Sequence, residues 1–138
     1  MLDVSGAALD RARARLGPDA GVPRWLEADV TEDWEIDPLD IWHDRAVFHF
    51  LTDPADRDSY LRHVAATVRP GGHVIVATFA PDGPERCSGL PVVRYSPQAL
   101  AHEFREYATM VRTVPERHVT PAGGVQAFSY SLMKVRKT

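Results

Sequence analysis

Apolar positions along this chain alternate between helical spacing and short continuous runs, and turn residues separate the segments. Met1–Ser5 reads as the tail of a buried strand that ends in an acid, Asp3. Ser5 then suits an N-cap for a helix over Gly6–Leu16, with Leu9, Ala12 and Leu16 on one face and Gly17-Pro18 as the stop. Pro23–Val30 reads as a short strand and Thr31–Pro38 as an acidic, turn-rich stretch. Leu39–Ala46 is a third strand, followed by a helical turn over Val47–Leu51. The next helix carries the strongest signals: Asp53 at the N-cap, Pro54 at N1 and Asp56 at N3. Its apolar stripe is Tyr60, Leu61, Val64 and Val68, and Pro70-Gly71-Gly72 is expected to end it. His73–Phe79 is nearly all apolar, as in a central parallel strand covered on both faces. A proline-rich loop fills Ala80–Arg94, and a helix capped by Ser96 with Pro97 at N1 runs to about Glu106. Two strands, Tyr107–Val119 and Gln126–Arg136, flank a turn at Thr120–Gly124 and predict an antiparallel hairpin with Phe128, Tyr130 and Leu132 on one face.

The resulting order, β-α-β-β-α-β-α-β-β, predicts an α/β fold: a Rossmann-like, mainly parallel sheet with helices on its faces and a closing antiparallel hairpin. With no linker and no internal repeat, residues 1–138 read as a single domain. A net charge of −3 supplies no basic field for nucleic acid or an anionic lipid surface. The sequence has no run of apolar residues long enough for a membrane span. Cys87 has no internal disulfide partner, which fits a reducing cytoplasm.

In their order and spacing these segments resemble the class I S-adenosylmethionine-dependent methyltransferases from their second strand onward. Four local matches carry the likeness: Leu2-Asp3-Val4-Ser5, Leu26-Glu27-Ala28-Asp29-Val30, the run from Asp40 through Leu51, and Leu61 through Gly72 with its Arg-Pro-Gly-Gly ending. The terminal hairpin resembles that family's antiparallel seventh strand. What the pattern lacks is the first strand and a Gly-rich cofactor loop, a βα unit on the order of 30 residues. The expectation is therefore a truncated methyltransferase-like domain with weak affinity for the cofactor. Exposed sheet edges next to the gap predict a homo-oligomer, with segment exchange as one way to form it.

The resemblance also implies roles. Asp3 would accept hydrogen bonds from the ribose hydroxyls of S-adenosylmethionine. The Asp29 carboxylate would meet the adenine amino group, the Val30 N–H a ring nitrogen, and Ala28 would leave room beside the ring. Asp44 and Arg45 would lie at the cofactor's methionine end and the substrate, with Asp44 on the α-amino group. His49 would be a base toward the methyl acceptor. Each residue also has a plainer reading: a helix-start charge for Asp3, an acidic turn for Asp29 and ion pairing for Arg45. His43 and Trp42 read as packing residues, His118 as a hairpin surface residue, and His63, His73 and His102 as ordinary helix or strand positions. Cys87 and the scattered histidines lack any metal-ligand spacing. Ser88 lacks a Gly-x-Ser-x-Gly turn. The function expected by resemblance is methyl transfer to a small-molecule acceptor. The alternatives are a non-catalytic remnant acting as a binding or self-assembly module, and an NAD-type Rossmann fragment, against which the hairpin argues.

Overall fold

The computed structural model describes residues 1–136. The chain, read from its sequence as one domain, forms two compact units, Met1–Ile36 and the part from Asp37 onward.

In the first unit, β1 (Leu2–Asp3) lies parallel to β2 (Leu26–Glu27), with Leu2 opposite Leu26 and Asp3 opposite Glu27. Helix α1 (Gly6–Leu16) joins them and has the expected boundaries. The Ser5 hydroxyl accepts from the Ala8 N–H, satisfying one of the helix's free donors. Gly17, at φ +52, ends α1, as read from the sequence. Pro18 then lies in a 3-10 turn over Gly17–Gly21. Only Leu26–Glu27 of the expected Pro23–Val30 strand pairs, because from Asp29 onward the backbone is drawn into a turn by its own side chain.

The second unit holds a four-stranded sheet in the order β3-β4-β8-β7: β3 (Leu39–Arg45), β4 (Val68–Phe79), β7 (Ala108–Val119) and β8 (Val125–Val135). β3 and β4 are parallel, while β8 runs antiparallel to both β4 and β7. The expected hairpin therefore forms, and its last strand inserts between β4 and its own partner. A small hairpin, β5 (Arg86–Cys87) with β6 (Leu90–Pro91), occupies the long loop, turning through Ser88 and Gly89 at positive φ.

Helix α2 (Pro54–Thr67) starts at Asp53, as its cap predicts, but stops before Pro70-Gly71-Gly72. Proline disfavours helical backbone in the residue before it, and β-branched Val68 already adopts φ −81, ψ 127. Strand β4 thus begins at Val68 and carries the Pro-Gly-Gly within it. Gly72 is required there, since a Cβ would lie 2.7 Å from the Asp40 carbonyl oxygen. Helix α3 (Pro97–Phe104) is two residues shorter than read.

Cross-strand register sorts the sheet's two faces. Trp42, Asp44, Val74, Val76, Thr78, Ser129, Ser131 and Met133 share one face, and all are buried. Tyr60 of α2 and Phe104 of α3 pack there with Phe48, ring centroids 4.9 to 6.4 Å apart. Phe128, Tyr130 and Leu132 do share a face, but the more deeply buried one belongs to the serines between them. The Phe128 face also carries Ile41, His43 and Arg45, all exposed.

Candidate functional site

Asp3 and Asp29 stand where their parallel strands end, and each is fixed by a local turn. Asp3 Oδ1 accepts from the Ser5 N–H at 2.8 Å. Asp29 Oδ1 accepts from the N–H of Thr31 at 2.8 Å and from its hydroxyl at 2.7 Å. Those two Thr31 donors, the hydroxyl first, hold the Asp29 carboxyl below its usual pKa. In both residues Oδ2 has no protein partner among the described residues. The strand ends are adjacent: the Ala28 N–H donates to the Asp3 carbonyl at 3.0 Å. The N–H of buried Val30 carries no hydrogen bond within the described chain. Asp3, Ala28, Asp29 and Val30 are thus brought together on the first unit. They offer two oriented carboxylate oxygens and one backbone donor.

In the second unit Asp44 stands near the end of β3, with 5 % of its surface exposed. Its Oδ1 accepts from the Val47 N–H at 2.9 Å. Its Oδ2 accepts from the Phe48 N–H at 3.0 Å and from the Tyr60 hydroxyl at 2.6 Å. The Tyr60 oxygen in turn accepts from Trp42 Nε1 at 2.9 Å. Burial raises the Asp44 pKa, opposed by these donors and by His43. Its oxygens are engaged within the protein, and the residue positions the turn after β3.

The sequence also pointed to His49 as a base. His49 is fully buried in the turn over Phe48–Phe50. Its Nδ1 accepts from the Phe79 N–H at 3.1 Å, so Nε2 carries the proton, with no partner among the described residues. Desolvation pushes its pKa down to about 4. The ring is buried, and its lone pair accepts from β4. His49 instead ties the turn to β4, and its carbonyl accepts from the Val93 N–H at 2.8 Å, anchoring the far end of the long loop.

Arg45 projects from the opposite face of β3. Its Nε donates to the Tyr130 hydroxyl at 2.8 Å, and its guanidinium carbon lies 5.0 Å from the Phe128 ring centroid. The sequence placed Phe128 and Tyr130 on one face of the last strand. Their part here depends on a register no sequence pattern states, Ala77 opposite Tyr130 and Phe79 opposite Phe128. Cys87 packs against the Ala77, Phe79 and Phe128 cluster, and the His118 ring centroid is 6.1 Å from that of Phe128. A separate cleft lined by Asp58, Leu61, Arg62, Glu103 and Tyr107 contains none of the expected residues. Among the described residues no His, Cys, Asp and Glu cluster could hold a metal ion, and no helix is long and apolar enough to cross a membrane.

No family model matches the sequence, and no curated protein matches it. Solved structures do match. The N-methyltransferase NodS from Bradyrhizobium japonicum, in complex with S-adenosyl-L-homocysteine, superposes with a TM-score of 0.73 at 16% identity, over 99% of this chain and 65% of that one. This chain has the fold of the class I S-adenosylmethionine-dependent methyltransferases. The Burkholderia thailandensis 1,6-didemethyltoxoflavin-N1-methyltransferase, with bound 1,6-didemethyltoxoflavin and S-adenosylhomocysteine, gives 0.71 at 20% identity, over 99% and 60%. A methyltransferase from Clostridium acetobutylicum gives 0.72 at 12% identity, over 99% and 74%. The chain thus spans about two thirds of the length of these neighbours.

Two outcomes follow from the site's hydrogen bonds. Tyr60→Phe removes one donor from the buried Asp44 carboxylate and is expected to destabilise the protein by about 1–3 kcal/mol in urea titration. A loss under about 0.5 kcal/mol would show that the carboxylate does not need it. His49 titrates near its ordinary value when unfolded but at about 4 when folded. The unfolded state therefore binds a proton that the native state refuses, and stability falls as pH drops from about 6.5 to 4. Asp44, whose folded pKa is raised, acts with the opposite sign in the acid range. The pH profile of His49→Asn should accordingly be flatter between these limits than that of the parent; parallel profiles would disprove the assignment.

Proposed function

We infer that this chain is the S-adenosylmethionine-binding part of a methyltransferase acting on a small molecule. The observation that carries this reading is the cluster in the first unit. Asp3 Oδ2, Asp29 Oδ2 and the Val30 N–H are oriented, and the described chain gives them no partner. Two acceptors and one donor at adjacent parallel strand ends suit ribose hydroxyls, an exocyclic amino group and a ring nitrogen. The donor set therefore fits the adenosine half of the cofactor. For the methionine half, these residues supply no Gly-rich loop.

When bound, S-adenosylmethionine supplies a methyl group already activated by its sulfonium, so the protein's contribution is mainly alignment. Asp3 and Asp29 orient the nucleoside. The Asp44 turn fixes the end of β3, and with it the direction of Arg45. Because His49 is sealed, the acceptor's proton leaves to solvent.

Calorimetry and amide NMR with S-adenosylhomocysteine test this reading. Binding is expected to be weak, with shifts concentrated at Asp3 and Ala28–Val30, and Asp3→Ala or Asp29→Ala should each lower affinity about tenfold. Low-micromolar affinity would refute the expectation of weak binding drawn from the missing Gly-rich loop. No shift at millimolar ligand would favour the second reading, a binding or assembly module without catalysis.

That second reading has an observation of its own. Among the described residues β3 is paired within its sheet on one side only, by β4, and its own Ile41 is 56 % exposed. A strand with an unpaired edge can recruit another strand, so a self-associated state is expected, formed by edge pairing or segment exchange. Light scattering across a concentration series should show the apparent mass rising, and a constant monomer mass at high concentration would exclude it.

A further inference from the structure

We propose that Arg45 is the recognition element for a carboxylate on the methyl acceptor, so that the substrate class is a small acid with an apolar or aromatic body. The word acceptor rests on the methyl-transfer reading above; the carboxylate site itself does not.

Arg45 is held on two sides. Its Nε donates to the Tyr130 hydroxyl at 2.8 Å, and its guanidinium stacks 5.0 Å from the centroid of the buried Phe128 ring. Ala46, at φ +65, turns the chain away immediately after it, with its N–H donating to the Ala77 carbonyl at 2.9 Å. A long side chain that is normally mobile is therefore fixed at its root and at its head. What it does not have is a counter-charge. The ion pairs among the described residues are Arg57–Glu103, Arg69–Asp40 and Arg94–Glu85, and none involves Arg45. Other arginines direct a terminal nitrogen to a protein oxygen, as Arg57 does to Leu51 and Thr52 and Arg94 does to Pro81 and Gly83. Arg45 is bound through Nε instead, and neither terminal nitrogen has a partner among the described residues.

Two parallel N–H donors on a planar cation match the two oxygens of a carboxylate. Tyr130, having accepted from Arg45, keeps its own proton to donate beside the fork. The surroundings are apolar: partly buried Ala46, Cys87 and Val92 pack on the Ala77, Phe79 and Phe128 cluster. An anion with an apolar body would bury those surfaces while its charge meets the guanidinium. A neutral acceptor would leave the fork hydrated and gain nothing from its orientation.

The test uses the full chain with benzoate and its uncharged counterpart benzamide, by ligand-observed NMR, with and without S-adenosylhomocysteine. Benzoate is expected to bind at least tenfold more tightly than benzamide. Arg45→Ala should abolish that preference. Arg45→Lys, which keeps the charge without the planar fork, should lose most of it, Tyr130→Phe should reduce it several-fold, and Arg11→Ala should retain it. Far-UV circular dichroism checks that each variant is folded. Equal binding of the two probes, or an unchanged preference in Arg45→Ala, would overturn the proposal. So would an Arg45→Ala variant that loses S-adenosylhomocysteine affinity and keeps the benzoate preference. If benzoate binds as expected and S-adenosylhomocysteine does not bind at all, the carboxylate site stands and the methyl-transfer reading falls.

Discussion

The buried carboxylate of Asp44 is the constraint from which the second unit's layout follows. A charge with 5 % exposure is costly unless donors surround it, and the fold supplies three: two backbone N–H groups from the turn after β3 and the hydroxyl of Tyr60 from α2. Satisfying one side chain thus sets three elements at once. The strand must end there, the chain must curl back over Val47 and Phe48, and α2 must approach closely enough for Tyr60 to reach. Trp42, two residues earlier on the same face, donates to the same Tyr60 oxygen, so the helix is registered against the strand by a relay of hydrogen bonds rather than by packing alone. Removing any member leaves a polar group stranded in an aromatic core that includes Phe48 and Phe104.

The same relay explains why a buried face and an exposed face of one strand have such different chemistry. Strand alternation sends Asp44 inward and Arg45 outward. Whatever fixes the first fixes the backbone from which the second departs. Arg45 needs that, because an arginine on a frayed strand end could not keep its Nε on Tyr130 and its plane against Phe128. The turn after β3 is held at both ends, by Asp44 on one side and by His49 on the N–H of Phe79 on the other.

Local rules made the elements legible. Ser5, Asp53 and Ser96 were each read as N-caps, and each side chain accepts from a backbone N–H of its helix. The short loop Thr120–Gly124 fixed the hairpin. Misreadings occurred where two local signals competed. Pro70-Gly71-Gly72 was read as a helix stop, but β-branched Val68 and the restriction that Pro70 places on Arg69 turn the chain into a strand several residues earlier. In β8 alternation puts the large residues Phe128, Tyr130 and Leu132 on one face without saying which face the core takes. The sheet has two faces, and the helices lie over the serines. That ordering depends on β8 inserting beside β4, a pairing between segments some fifty residues apart that periodicity does not encode. For the same reason Asp3 and Asp29 could be placed at strand ends from the sequence, whereas Tyr130 and Phe128 could not be placed beside Arg45.

His49 shows why residue type is a weak guide to acid–base chemistry. Its ordinary pKa invites the role of base, yet the features that make it useful to the fold remove that role: full burial, a lone pair committed to Phe79, and a carbonyl committed to Val93. Methyl transfer tolerates this arrangement better than most reactions would. The acceptor–methyl bond forms as the sulfonium's S–C bond breaks, and sulfur leaves as a neutral thioether that needs no proton, so rate depends mainly on holding the acceptor in line. A site built on that principle needs rigid positioning groups more than titrating ones. Under the proposal above, the end of β3 would supply one in Arg45, which stacks on Phe128 and has no ion pair among the described residues.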